Sequence, residues 1–394
     1  MDAQQMVFNT PLEITHDFSE LAKIAGDAVK INPPFLVWSI FGRPGSWLPP
    51  YHPLSEYKIM NIWRLPRTIQ YFLNISIPSI PLNPPSFGPP FLNSLFWRPT
   101  VILQRPDHNG SYTTFPKEAW FFINGILTNA SIAQINAALI SSLFHRPVTI
   151  IQNSTSSIFT DLLECALGKQ WHRTTEAVEK AFPPIHQALK SEKERVVVLA
   201  HSQGTIIMAV VLDLLLQLTD LPETPDFIAA AEAPAMAGAP PAGPEFLYPY
   251  EGQLRMDEFE RLTAAELGKL EIYLFANCAN HMRHLSGSLN GEKPIPWLEH
   301  FGNEMDIVAR LGMLAPQATE RNIQIEGPRY LRPGAWGHLL NEHYLLPIEV
   351  AQRLGRKKNG KGGTEPFVLV EGDHTDSSAT PRLYQYINGG SPPD

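Results

Sequence analysis

At 394 residues, 44% hydrophobic and 18% charged, the chain has enough apolar material for a large core, and its composition excludes a disordered or fibrous protein. Its formal charge of −8 argues against nucleic acid as a partner. Length alone allows two or three domains, or one elaborated α/β domain.

The opening MDAQQMVFNTPLEITHDF has no basic stretch followed by an apolar run, so no secretory signal is expected and a cytoplasmic, reducing setting is the default. The sequons at Asn74, Asn109, Asn129 and Asn153 are then expected to carry no sugar. Cys165 and Cys278 lie in apolar segments and imply no disulfide framework. Residues 206–218 are almost wholly apolar but fall short of the roughly 20 needed to span a bilayer, so no transmembrane segment is expected.

A helix is expected over Asp17–Lys30. Two stretches rich in proline and aromatic residues follow, INPPFLVWSIFGRPGSWLPPYHPLSEY and IPSIPLNPPSFGPPFLNSLFWRP. Proline breaks both helix and ladder, so residues 1–99 are read as an irregular arm laid over the main domain. Its Trp38, Phe41, Trp47, Phe91, Phe96 and Trp97 need burial, an apolar pocket to line, or peripheral contact with a membrane surface. From Thr100 the pattern becomes regular. TVILQ and SYTTF flank RPDHNG as a hairpin, AWFFI is a strand ending at Asn124-Gly125, and SIAQINAALISSLF has helical spacing. PVTIIQ is the next strand, Asp161–Lys190 a helix broken near Pro183-Pro184, RVVVLA a strand, and Thr205–Leu218 a helix.

Strands alternating with helices predict an α/β fold, with a mostly parallel sheet covered by helices on both faces. Residues 221–250 interrupt it with alanine, proline and glycine, as a mobile excursion does. DEFERLTAAELGKL is then predicted as helix, and EIYLFANCA, WLEHF and NIQIEG as strands. The organisation expected is an arm (1–99), a core (100–354) with a cap-like insertion at 221–268, and a C-terminal tail (355–394). The basic RKKNGKGG from Arg356 reads as a solvated loop.

One break in the pattern carries chemistry. The strand before Ala200-His201-Ser202-Gln203-Gly204 and the helix after it make this segment resemble the nucleophile elbow of the α/β-hydrolase superfamily, written G-x-S-x-G. The serine of that elbow sits on a strained turn, and the positions two before and two after it must be small. Here they are Ala200 and Gly204. The resemblance covers about Thr100 to Val350 and has a lipase or esterase flavour. It implies Ser202 as nucleophile, with an acid and then a histidine later in the chain.

For the acid, GNEMDIVARLG resembles the acid loop of lipases, which makes Asp306 first choice, Glu304 second and Asp257 third. For the base, His338 follows Gly337 in a loop and is preferred over His343, which lies within the next helical run. The oxyanion hole is expected from the backbone N–H groups of Gln203 and Ile126, with Asn124 where many esterases carry histidine.

No cofactor or metal is expected. Cys278-x-x-His281-x-x-His284 lacks a fourth ligand, and GKGG lacks the spacing of a phosphate-binding loop. The function expected is hydrolysis of a carboxylic ester, lactone or thioester with an apolar part. The alternatives are an acyltransferase, lyase or cyclase on the same fold, or a non-catalytic interaction protein.

Overall fold

The computed structural model describes residues 35–43, 52–58, 101–104, 112, 115–125, 128, 130–153, 172–220, 254–279, 281–284, 294–315, 324–357, 367–371, 374–376 and 378–393. The expected helix over Asp17–Lys30, most of the arm, the turn RPDHNG, Ile126, Cys165 and the whole excursion over 221–250 lie outside these residues.

The strands in chain order are β1 (Val101–Gln104), β2 (Glu118–Ile123), β3 (Thr149–Asn153), β4 (Arg195–His201) and β5 (Thr219–Asp220). They continue as β6 (Leu262–Thr263), β7 (Leu270–Phe275), β8 (His281–Met282) and β9 (Trp297–Asn303). The last are β10 (Gln324–Ile325), β11 (Arg329–Arg332), β12 (Val368–Glu371) and β13 (His374–Asp376). Nine of them form one sheet in the order β1-β3-β2-β4-β7-β9-β11-β12-β13. From β3 through β11 all neighbours are parallel, while β1, β12 and β13 are antiparallel edges. The central runs VVVLAH and LEIYLF are buried at every position, as a strand covered on both faces requires. This is the expected α/β architecture with a mostly parallel sheet.

The crossovers decide where a ligand can enter. Helix α1 (Phe35–Phe41) precedes the sheet, and α2 (Ala130–Phe144) carries the chain from β2 outward to β3. Helix α3 (His172–Lys190) brings it back past β2 to β4, and α4 (Gln203–Gln217) leads onward to β7. Parallel crossovers are right-handed, so a reversal of direction puts α2 on one face and α3 with α4 on the other. Accordingly α3 packs on α4, and α2 packs against the helical segment Arg382–Gly389. The reversal falls between β2 and β4, so the loops leaving their carboxyl ends diverge and open a crevice there.

The later helices are short: α5 (Ala264–Leu267), α6 (Ile307–Leu311), and a π-helical turn Leu340–Leu345 running into α7 (Leu346–Lys357). No helix among the described residues is long and apolar enough to cross a membrane.

Several local expectations are corrected. Strand β1 pairs with β3, and the hairpin expected of it with SYTTF falls mostly outside the described residues, of which Tyr112 stacks on His145 with ring centroids 4.6 Å apart. Helix α3 runs unbroken through Pro183 and Pro184. Each removes one helical donor, opposite Glu179 and Lys180, on a part of the helix open enough for water to replace it. DEFERLTAAELGKL is not one helix. A turn at Met256–Glu258 precedes β6, which pairs with β5, and a capping box between Thr263 and Glu266 starts α5.

Among the described residues of NIQIEG, Gln324–Ile325 form β10, which pairs with β8 outside the main sheet. The sheet is extended instead by RYLR, hidden in the sequence between Pro328 and Pro333.

The expected tail supplies β12, β13 and a segment that closes the amino ends of the parallel strands. Leu383 and Tyr386 are fully buried. Glu271, 1% exposed, accepts from Arg382 Nη2 at 2.9 Å, Tyr273 at 2.7 Å and Tyr386 at 2.8 Å. Glu118 pairs with Arg146, which also donates to the Gly390 carbonyl, and Arg195 donates to that of Pro392. Removing one partner of a buried ion pair leaves a charge stranded. Arg382→Ala is therefore expected to lower unfolding free energy by about 3 kcal/mol, read as a lower urea midpoint; an unchanged midpoint would show that the tail only rests on the core.

Candidate active site

Strand β4 ends at His201, and Ser202 follows at its carboxyl end, beside the point where the crossovers reverse. Ser202 takes φ 57° and ψ −129°, a left-handed conformation that a side-chain-bearing residue holds only under constraint. The constraint is visible on both sides. Its N–H donates to the Phe275 carbonyl at 2.9 Å, continuing the β4–β7 ladder past the strand. Its carbonyl accepts from the Thr205 hydroxyl at 2.6 Å and from Thr205 N–H at 2.8 Å.

Two glycines make room. A Cβ on Gly204 would lie 2.4 Å from the Ile123 carbonyl oxygen, and one on Gly125 would lie 2.3 Å from Ser202 Cβ. Ala200 serves at the other small position, where it pairs in register with Ile123 and Leu274.

Ser202, His338 and Asp306 come together although 136 and 32 residues separate the bonded pairs. Ser202 Oγ lies 2.9 Å from His338 Nε2, and His338 Nδ1 lies 2.8 Å from Asp306 Oδ2. A carboxylate only accepts, so Nδ1 carries the proton and Nε2 presents its lone pair to the hydroxyl. All three residues are at most 1% exposed. Asp306 caps α6, its Oδ1 accepting from Val308 N–H at 2.9 Å, while its Oδ2 also accepts from the Tyr344 hydroxyl at 2.6 Å.

His343 is not brought to the serine. Its Nδ1 accepts from Leu339 N–H at 2.9 Å, and its Nε2 lies 3.0 Å from the Tyr57 hydroxyl, which donates to the Phe41 carbonyl. Both ring nitrogens are thus engaged, and desolvation with the nearby Arg332 charge pushes the imidazole down to about 3. It braces the loop, since Gly337, at φ 100°, packs its Cα against the His343 ring with no room for a Cβ. Glu304 accepts from Gly334 N–H in the adjoining turn, and Asp257 lies in the Met256–Glu258 turn, paired to Arg255.

Gln203 opens α4, the position expected of one oxyanion donor, while its side chain accepts from Asn153 at 2.8 Å. Asn124 answers the question raised by the missing histidine. Its amide donates to the Asn153 and Gly125 carbonyls at 2.7 and 3.1 Å and accepts from Asn153 N–H at 2.8 Å, tying the ends of β2 and β3. The other expected donor, Ile126, lies outside the described residues.

Three contributors escaped the sequence reading. Ser39 of α1 donates to the Met305 carbonyl at 2.7 Å and accepts from Ile307 N–H at 2.6 Å, so it grips both flanks of Asp306. The Ile40 carbonyl accepts from His338 N–H at 2.8 Å. His201 lies beside His338, ring centroids 4.6 Å apart, and donates through Nε2 to the His338 carbonyl at 2.8 Å. Burial holds His201 well below its ordinary range, neutral beside His338. No motif marks such contacts, because each depends on where a distant segment docks.

Among the described residues, no three His, Cys, Asp or Glu side chains assemble as metal ligands. Cys278 is buried, its Sγ 3.8 Å from the Thr205 hydroxyl. No protein-family model matches the chain, and no curated protein matches it.

Gly125→Ala is expected to leave the fold intact and to cut reactivity at Ser202 about 100-fold or more, because displacements of an ångström at a reacting centre cost that much. Reactivity within a few-fold of wild type, measured as the labelling rate at the serine, would contradict this close approach.

The segment holding the π-helical turn carries a titratable group of its own. Glu56 is fully buried, accepts from Glu342 N–H at 3.1 Å, and is pushed up from 4.5 to about 7 by desolvation. The folded protein therefore keeps a proton that the unfolded chain releases, and stability falls as pH rises from 4.5 through about 7. Glu56→Gln is expected to remove that slope, worth up to about 3 kcal/mol. Urea midpoints at about pH 5 and about pH 8 that shift equally in both proteins would refute it.

Proposed function

We propose that the protein is a serine hydrolase of the α/β-hydrolase type, acting on a carboxylic ester, lactone or thioester with an apolar moiety. The observation that carries this reading is the continuous chain from Ser202 Oγ through His338 to Asp306, on a strained strand–turn–helix at the point where the crossovers reverse. An ordinary polar turn has no reason to hold a serine at positive φ against a glycine of the neighbouring loop.

In this reading Ser202 Oγ attacks the substrate carbonyl while His338 Nε2 takes its proton. Asp306 fixes the tautomer and stabilises the imidazolium that forms. The developing oxyanion is received by the N–H of Gln203 and, from the loop after Gly125, by that of Ile126. His338 then protonates the leaving group, and water, activated by the same imidazole, releases the acyl group. Burial of the triad strengthens each electrostatic contact by keeping bulk water away. An apolar substrate part is supported by Trp38 and Trp336, which meet edge to face at 5.9 Å, one on α1 and the other two residues before the base.

A fluorophosphonate probe is expected to label the wild-type protein at Ser202, and turnover of p-nitrophenyl esters should fall by on the order of 10⁶ in Ser202→Ala. His338→Ala should suppress labelling, whereas His343→Ala should retain far more of it, because only His338 faces the hydroxyl. Labelling that survives in Ser202→Ala would overturn the reading. A product mixture dominated by transfer to an added alcohol would redefine the enzyme as an acyltransferase using the same residues.

A further inference from the structure

We propose that Tyr344 is a positioning residue for this chemistry, a permanent hydrogen-bond donor that shares Asp306 Oδ2 with His338 and thereby sets how strongly the acid supports the base. The proposal rests on the serine-hydrolase reading. It goes beyond that reading by adding a fourth member to the Ser202–His338–Asp306 chain.

The geometry is specific. One carboxylate oxygen, Asp306 Oδ2, receives His338 Nδ1–H at 2.8 Å and the Tyr344 hydroxyl at 2.6 Å, while Oδ1 is taken by Val308 N–H at 2.9 Å. The phenol is aimed from behind, its oxygen accepting from Asn303 N–H at 3.3 Å. Its ring is clamped by Phe275 at 5.9 Å and stacked with Phe367 at 6.1 Å. Tyr344 is fully buried, and burial beside Asp306 raises its hydroxyl well above the ordinary range, so it donates throughout the working pH range.

A donor on a carboxylate withdraws negative charge from it. With Tyr344 in place, Asp306 holds the imidazole in line but attracts its proton less than an unshared carboxylate would. Without Tyr344, the acid both loses a contact that fixes its orientation and holds the imidazolium more tightly.

Other titratable groups surround the pair and separate cleanly. His201 from β4 and His343 from the same turn are held neutral by burial. Arg332 from β11 is a constant cation bonded to the His343 carbonyl. Glu342, also on the turn, accepts from Ser55 on the 52–58 segment. Glu56, on that segment, titrates near 7 but bonds the backbone of Glu342, away from Asp306. Its contribution is removed by working in a Glu56→Gln background.

The test compares pH profiles of kcat/KM for p-nitrophenyl butyrate in wild type and Tyr344→Phe, each with and without Glu56→Gln. In Tyr344→Phe, kcat is expected to fall about 10- to 100-fold with little change in KM, the value of one charge-assisted hydrogen bond. The acid limb should move to higher pH by roughly one unit. Replacing Tyr344 by 3-fluorotyrosine makes the phenol a stronger donor without changing its shape, and should move the acid limb to lower pH. That second substitution decides the matter if Tyr344→Phe does not fold. Labelling of wild type at Ser202 with an acid limb unmoved in either variant overturns this inference alone. Failure of wild type to label at all sinks the hydrolase reading and this inference with it.

Discussion

The strained peptide at Ser202 is the constraint around which the rest of the molecule is arranged. A residue with a side chain pays in conformational energy for positive φ, of order 1–3 kcal/mol, and keeps it only when its surroundings allow nothing else. Here the surroundings are two strand ends and a helix start brought closer than ordinary side chains permit. Gly125 and Gly204 are the vacancies that allow it, and Thr205 and Phe275 supply the hydrogen bonds that fix it. The crossover reversal between β2 and β4 is what brings those ends together, so topology and local strain describe one arrangement at two scales.

The described parts of residues 1–99 hold the loops of the candidate site. Within α1, Ser39 and Ile40 reach the loops of Asp306 and His338 through three hydrogen bonds, two of them to the backbone on either side of Asp306. Farther along, the 52–58 segment fastens the π-helical turn through Ser55, Glu56 and Tyr57, and Asn341 donates to the Leu54 carbonyl. The histidine and aspartate thus sit on loops clamped from outside by a segment more than 200 residues earlier in the chain, which makes loop placement precise without long regular elements.

Legibility in the sequence tracked how local the physics was. The parallel strands and the elbow were readable because apolar runs of strand length and small residues around a serine are written in consecutive letters. Asp306 and His338 could be singled out through chain order and loop context, whereas only the folded chain shows that His338 faces Ser202 and that both ring nitrogens of His343 are engaged elsewhere. Tyr344, His201 and Ser39 were not readable, since a tyrosine in an apolar helical run looks the same whether it bonds a carboxylate or merely fills a core. Strand β11 was masked by the prolines that bracket it. The C-terminal segment was missed because β12, β13 and the Arg382–Gly389 segment are short and its decisive contacts are made by single arginines.

That last segment has a consequence for how the protein is made. Glu118 and Glu271 sit at the amino ends of the central strands and are synthesised well before Arg382, Tyr386 and the carbonyls of Gly390 and Pro392. Until residues 382–392 leave the ribosome, the Glu271 carboxylate has neither Arg382 nor Tyr386, and the site-bearing sheet remains open along one end. A nascent chain or a shortened product therefore exposes ionised groups and apolar strand ends together, which is the surface that chaperones and proteases act upon. The closing residues lie at the opposite ends of the strands from Ser202, so the end of the sheet remote from the candidate site waits for its cover until they are made.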